Sequence, residues 1–177
     1  MATTYGVFRL SYGQSLGNLV ESVGMSKKKS VEKIYLDVCT ICRPYDDQGY
    51  LRIRLETDAY YLILNHVKSS RFVLMVSPVH YYELKSIEND QERINALSIL
   101  GNLGVQINCD KQLAKKRTEE LIAKGFGLGD AAHLAFAEAG AEYFVSCDEK
   151  LLKKAERAGI GVKAMSPVKF CILKDLK

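Results

Sequence analysis

Tryptophan is absent from this 177-residue chain, and so is any long hydrophobic run. The longest strongly apolar stretch, Phe72 to Val76, falls far short of the roughly 20 residues that a membrane helix needs. The opening MATTYGVFRLSYGQ lacks the continuous apolar segment of a secretory signal, so a cytoplasmic protein with no membrane partner is expected. Cysteines number five, odd and without framework spacing, which argues for reduced thiols rather than a disulfide scaffold. Charge of one sign is hardly in excess: the net value of +4 permits nucleic-acid binding without demanding it. There is no internal repeat and no low-complexity tract.

What is present is an ordinary globular composition, with 47% hydrophobic and 26% charged residues. A domain of about 150 residues buries roughly 70% of its unfolded surface and needs no staples. Residues 1–32 differ from the rest, being rich in Gly, Ser and Thr up to Gly24 and carrying the lysine run Lys27 to Lys29 just after Met25. We read them as an N-terminal arm or extension, with one domain over 33–177. A second basic cluster, Lys111, Lys115, Lys116 and Arg117, has the makings of a phosphate contact, although solvated helix faces carry such runs as well.

From Lys33 onward, apolar runs alternate with helical patterns. IYLDV (34–38), FVLMV (72–76), YFVSC (143–147) and VKAM (162–165) read as buried strands, and 105–108 as a short one. Helices are expected over about 48–67, from Pro78 with Ser77 as cap, over 90–100 and 110–124, from Gly129 to Ala139 with Gly140 as a left-handed cap, and over 148–158 before Gly159. On the helix of 48–67, the spacing places Leu51, Leu55, Ala59, Leu62 and His66 on one face. Leu121, Phe126 and Leu128 are core candidates. The fold class is therefore α/β, a three-layer α/β/α sandwich with a mainly parallel central sheet.

Ligands of such sheets bind beyond the carboxyl ends of the strands. Four acids fall there: Asp37 ends the first strand, Glu83 lies on the helix after the second, Asp130 opens its helix, and Asp148 follows YFVSC. A single acid so placed commonly caps a helix. Four converging acids would repel one another, and Mg²⁺ or Mn²⁺, which prefer oxygen ligands and a substrate phosphate, would relieve that repulsion.

These residues resemble the PIN domain nucleases, which include the toxins of many prokaryotic toxin–antitoxin pairs. The resemblance covers nearly all of 33–170 and rests on IYLDV, SPVHYYEL, GDAAHLAFAEAGAEYFVSCD and VKAMSPVKF. It implies a metal-dependent ribonuclease in which Asp37, Glu83, Asp130 and Asp148 bind Mg²⁺ or Mn²⁺, with RNA as substrate, a cognate antitoxin as partner and a homodimer as assembly. The chain departs from the family where Val38 and Cys39 replace the polar pair that often follows the first Asp, and it carries DVCTICRPYDD instead. Thr40 is a candidate for the missing hydroxyl, Arg43 for the substrate backbone, and Ser146 for orienting Asp148 or binding a phosphate oxygen. Asp46 or Asp47 either joins the site or caps the helix beginning near Gln48, and capping is the preferred reading.

Other chemistries fit less well. The Cys39 and Cys42 pair has redox spacing, but Pro44 keeps a helix from running cleanly out of Cys39, and nothing else resembles a thioredoxin site. Zinc held by Cys39, Cys42, Cys147 and His133 would show only one of two paired spacings. Asp37 as a phosphatase nucleophile would need a second Asp where Cys39 stands. His133, one helical turn beyond Asp130, either points toward the same rim or, in the preferred reading, packs as a satisfied histidine; Tyr81 and Tyr82 read as packing or base-stacking residues. The remaining alternative is a non-catalytic PIN-like module that binds RNA or a protein.

Overall fold

The computed structural model describes residues 31–177, so almost all of the expected arm over 1–32 lies outside the described residues. The first strand, β1 (Glu32–Leu36), leads into a short helix, α1 (Val38–Ile41), and a 3-10 turn at Arg43–Tyr45. The order continues α2 (Leu51–Lys68), β2 (Phe72–Val76), α3 (Pro78–Lys85), α4 (Asp90–Leu103) and β3 (Gly104–Gln106). It closes with α5 (Lys111–Ala123), α6 (Leu128–Gly140), β4 (Tyr143–Val145), α7 (Glu149–Ala158), β5 (Lys163–Met165) and α8 (Pro167–Leu173).

The five strands form one sheet in the order β3-β2-β1-β4-β5, and every pairing is parallel. Alternation along the strands splits the core in two. Ile34, Leu36, Leu74, Val76 and Val145 face a layer that includes Tyr60, Ile63, Leu100 and Phe170. Tyr35, Met75 and Phe144 face the other way, toward Leu121, Leu134, Ala137 and Leu151. Helices on both faces of an all-parallel sheet are the three-layer α/β arrangement that the sequence pattern implied.

The chain steps outward from β1 through β2 to β3, then returns to add β4 and β5 on the other side. The reversal lies between β1 and β4, the switch point at which a crevice opens beyond the strand ends. Asp37 and Ser146 stand one residue past those two strands.

Several local expectations are corrected. The buried stripe of α2 is Glu56, Ala59, Tyr60, Ile63, Leu64 and Val67, whereas Leu51 and Leu55 are exposed; packing against the sheet selected a neighbouring stripe. Leu128 is also exposed, at 72%. Gly140 ends α6 without a left-handed φ, and the cap is the extended Ala141. A Cβ on Gly140 would meet Ile107 at 2.8 Å, so close approach explains the glycine. Gly159 does adopt φ 61 after α7. Neither Asp46 nor Asp47 caps α2, whose N-cap is Tyr50; Asp46 pairs with Arg43, and Asp47 accepts from the Gly49 amide at 2.8 Å. The terminal helix α8 was not foreseen, although its Ser166–Pro167 start repeats the Ser77–Pro78 start of α3.

Candidate metal centre

Asp37 leaves β1 in extended conformation and opens α1, and its side chain makes no cap hydrogen bond. The carboxylate is free to turn toward the crevice. Its Oδ2 accepts from the Ser146 hydroxyl at 2.7 Å and from the Cys39 thiol at 3.2 Å. Ser146 is wholly buried, and its Oγ also accepts the Asp148 amide at 3.1 Å. One hydroxyl thus ties the first acid to the last. Asp148 Oδ1 caps α7 by accepting from the Lys150 and Leu151 amides, so the capping and rim roles fall on the same residue.

Glu83 reaches the crevice from α3 and Asp130 from the first turn of α6. His133, one turn further along α6, is buried and places Nε2 3.0 Å from Glu83 Oε2 and 3.9 Å from Asp37 Oδ1. The contact to Glu83 is near but off-axis for a full hydrogen bond. It nevertheless holds the Glu83 carboxyl below its ordinary value, outweighing the opposing effect of burial. Asp130 shifts upward, first through burial and then through the charges of Asp37 and Asp148, with a smaller push from Glu83 and only His133 opposing. A Cβ on Gly129 would come within 2.8 Å of Glu83 Oε1, so the bare backbone of α6 makes room for that carboxylate.

Asp130 therefore feels the charges of the other three acids across a partly buried space. Among the described residues, however, no three His, Cys, Asp or Glu side chains are gathered closely enough to form a ready-made metal site. The donor chemistry fits a hard divalent cation: the ligands on offer are carboxylate oxygens whose mutual repulsion an ion would offset.

The other candidates are placed as follows. Thr40 is buried and turns its hydroxyl toward the Val145 carbonyl at 3.2 Å and the Cys147 sulfur at 3.6 Å. Arg43 pairs with Asp46 at 2.7 Å and with the buried Glu56 at 3.0 Å. Arg52 joins Glu56 and Glu149, each at 2.9 Å. Beside Asp148 lies an open cleft of about 600 Å³ whose walls include Arg43, Tyr50, Arg52 and Lys150. A larger groove of about 890 Å³, bounded by residues of α2, α7 and α8, contains none of the four acids.

Among the thiols, Cys39 approaches Cys147 rather than Cys42, and its sulfur accepts the Cys147 amide at 3.4 Å. The contact with Cys147 raises the Cys39 thiol far above its usual value, while Cys147 shifts downward through its contact with Cys39 and the neighbouring Arg43. Burial pushes the Cys42 thiol up to about 12.

A buried polar network, which sequence reasoning missed, lies behind the acids. The Tyr35 hydroxyl contacts Ser77 Oγ at 2.7 Å and His133 Nδ1 at 2.6 Å. His80 accepts the Ser77 amide on Nδ1 at 3.1 Å and so donates from Nε2 to the Leu36 carbonyl at 2.8 Å. Burial, reinforced by His133, lowers the His80 pKa to about 4, which keeps the ring neutral. The available signal was a tyrosine in a buried strand, since a buried phenol demands a polar partner.

No family model matches the chain, and no curated protein matches it. Solved structures similar to it include a crystal structure of FitAcB from Neisseria gonorrhoeae, at 14% sequence identity and TM-score 0.47, covering 76% of this chain and 97% of that one. Another is VapBC2 from Rickettsia felis bound to a DNA fragment from their promoter, at 17% identity and TM-score 0.49, covering 76% of this chain and 98% of that one. With likeness at that level, the α/β fold is established by the sheet order and the two helical layers of the chain itself.

Proposed function

We propose that this protein is a metal-dependent ribonuclease that hydrolyses RNA phosphodiester bonds at the rim formed by Asp37, Glu83, Asp130 and Asp148. The observation that carries the reading is the concentration of negative charge at the switch point. Asp130 is raised first by burial and then by the charges of Asp37 and Asp148, with Glu83 adding to them, and Ser146 locks Asp37 to the backbone of Asp148. Such a cluster has a use when a divalent cation and a phosphate share it.

Mg²⁺ or Mn²⁺ bound there would lower the pKa of a bound water and offset charge growing on the scissile phosphate. The chain's own part is to hold the ligands and exclude competing contacts. Ser146 occupies Asp37 Oδ2 and leaves Oδ1 facing the crevice toward His133. The α7 amides occupy Asp148 Oδ1. Arg43, Arg52 and Lys150 border the cleft beside Asp148, with the exposed ring of Tyr50 among them, a combination suited to a single-stranded backbone and a stacked base. RNA as the substrate, the toxin role, a cognate antitoxin and a homodimer are proposed on the sequence resemblance alone.

A second reading, a module that binds RNA without cutting it, is favoured by one feature: Asp37 Oδ2 already accepts from both Ser146 and Cys39. Incubation with a mixed single-stranded RNA pool separates the two. Fragments that form with Mn²⁺ and vanish with EDTA are expected of the nuclease. Retention of intact RNA on the protein, under every divalent metal, would replace it with the binding module.

A further inference from the structure

We infer that Tyr35, His133 and Glu83 form a polar relay in which a hydrogen bond from a buried tyrosine fixes the histidine tautomer, so that the imidazole faces Glu83 and holds it at the rim by a close electrostatic contact. The inference rests on the metal site proposed above and assigns His133 as a positioning residue for one of its ligands. Glu83 Oε2, an acceptor when ionised, faces His133 Nε2 at 3.0 Å, a contact that favours the tautomer with its hydrogen on Nε2. In the neutral ring Nδ1 is then the acceptor. Tyr35, at 2.6 Å, donates to it, and the Ser77 hydroxyl at 2.7 Å donates in turn to the phenol oxygen.

The relay is anchored where the fold is least able to move. Tyr35 is fully buried in the central strand and packs against His80 and Phe144, with ring centroids 4.4 and 5.8 Å away. His133 meets the Tyr35 ring edge-on at 5.6 Å. Glu83, by contrast, is about one-third exposed and sits on the eight-residue helix α3. A partly exposed acid at the edge is thereby linked to a fully buried residue of the central strand, and partners of this kind commonly set metal affinity.

The test is Mn²⁺ titration calorimetry of the full chain, together with ¹⁵N imidazole spectra of the metal-free protein. The relay predicts a protonated Nε2 and an accepting Nδ1 on His133. His133→Ala should weaken Mn²⁺ binding about tenfold or more, and Tyr35→Phe less, by several-fold. His133→Gln, whose amide can still donate toward Glu83, should recover most of the loss, a rescue that a purely packing role would not give. Wild-type affinity in His133→Ala, or a hydrogen on Nδ1 with none on Nε2, would overturn the relay. Failure of the wild type to bind Mn²⁺ would instead overturn the metal site and the role given to His133 there. The spectra report separately whether Tyr35 sets the tautomer.

Discussion

His80 offers a quantitative check on the buried network behind the acids. Its ring has no exposed surface, accepts from the Ser77 amide and donates to the Leu36 carbonyl. Its pKa lies at about 4 in the fold, against a reference value of 6.5. The unfolded chain therefore takes up a proton that the fold excludes, so the contribution is present above pH 6.5 and is lost as pH falls toward 4. Linkage over that gap makes the protein less stable at pH 5 than at pH 7 by about 2 kcal/mol from this one group. With a urea slope of about 1–3 kcal/mol per molar, the midpoint should drop by about 1 M. Asp130 is raised and works in the opposite sense, favouring the fold as pH falls, so the measurement needs an internal reference. His80→Gln keeps a neutral donor and acceptor but cannot take the proton, and its urea midpoint should change much less between pH 7 and 5. Parallel pH profiles for the two proteins would refute the assignment of His80 as a ring held neutral by burial.

Other perturbations probe separate parts of the account. Gly129→Ala puts a methyl group 2.8 Å from Glu83 Oε1, the far end of a flexible side chain. The helix should keep or gain up to about 1 kcal/mol of stability, while calorimetry should show Mn²⁺ affinity falling about tenfold; unchanged affinity would remove Glu83 from the site. Phe170→Ala deletes a fully buried ring that packs edge-on against Phe72 and Tyr143. It should cost about 3–5 kcal/mol in urea denaturation, whereas a loss below about 1 kcal/mol would mean that α8 does not cover the sheet. In the folded protein, Cys39 and Cys42 should react slowly with iodoacetamide at pH 7, since both thiols are shifted upward. Rapid labelling of both, read by mass spectrometry, would reopen a redox role for the pair.

The strands were legible because parallel strands buried on both faces read as unbroken apolar runs: FVLMV coincides with β2 residue for residue. The start of β1 was set two residues late, at Ile34, because Glu32 and Lys33 pair in the sheet at its polar margin. For α2, a stripe running through Leu51 and Leu55 fitted helical spacing as well as the stripe that is buried. Only the position of the sheet decides between them, and a periodic pattern holds no information about that. Glu56 illustrates the cost: it is an acid that a periodicity argument assigns to solvent, yet it lies buried between Arg43 and Arg52. The four acids could be proposed from the strand-end rule and the family resemblance. The contacts that hold them could not, because Ser146 meets Asp37 across 109 residues of sequence and His133 meets Tyr35 across 98.

The central claim is that the carboxylates at the end of β1 and β4 carry the chemistry, and Asp37→Asn tests it most directly. The substitution keeps the shape of a side chain that accepts from Ser146 at 2.7 Å but removes its charge. The measurement is the rate of Mn²⁺-dependent cleavage of single-stranded RNA by wild type and variant, each shown to be folded by its urea transition. The account predicts cutting by the wild type and none by Asp37→Asn at the same folded fraction. Equal rates for the two proteins would contradict it.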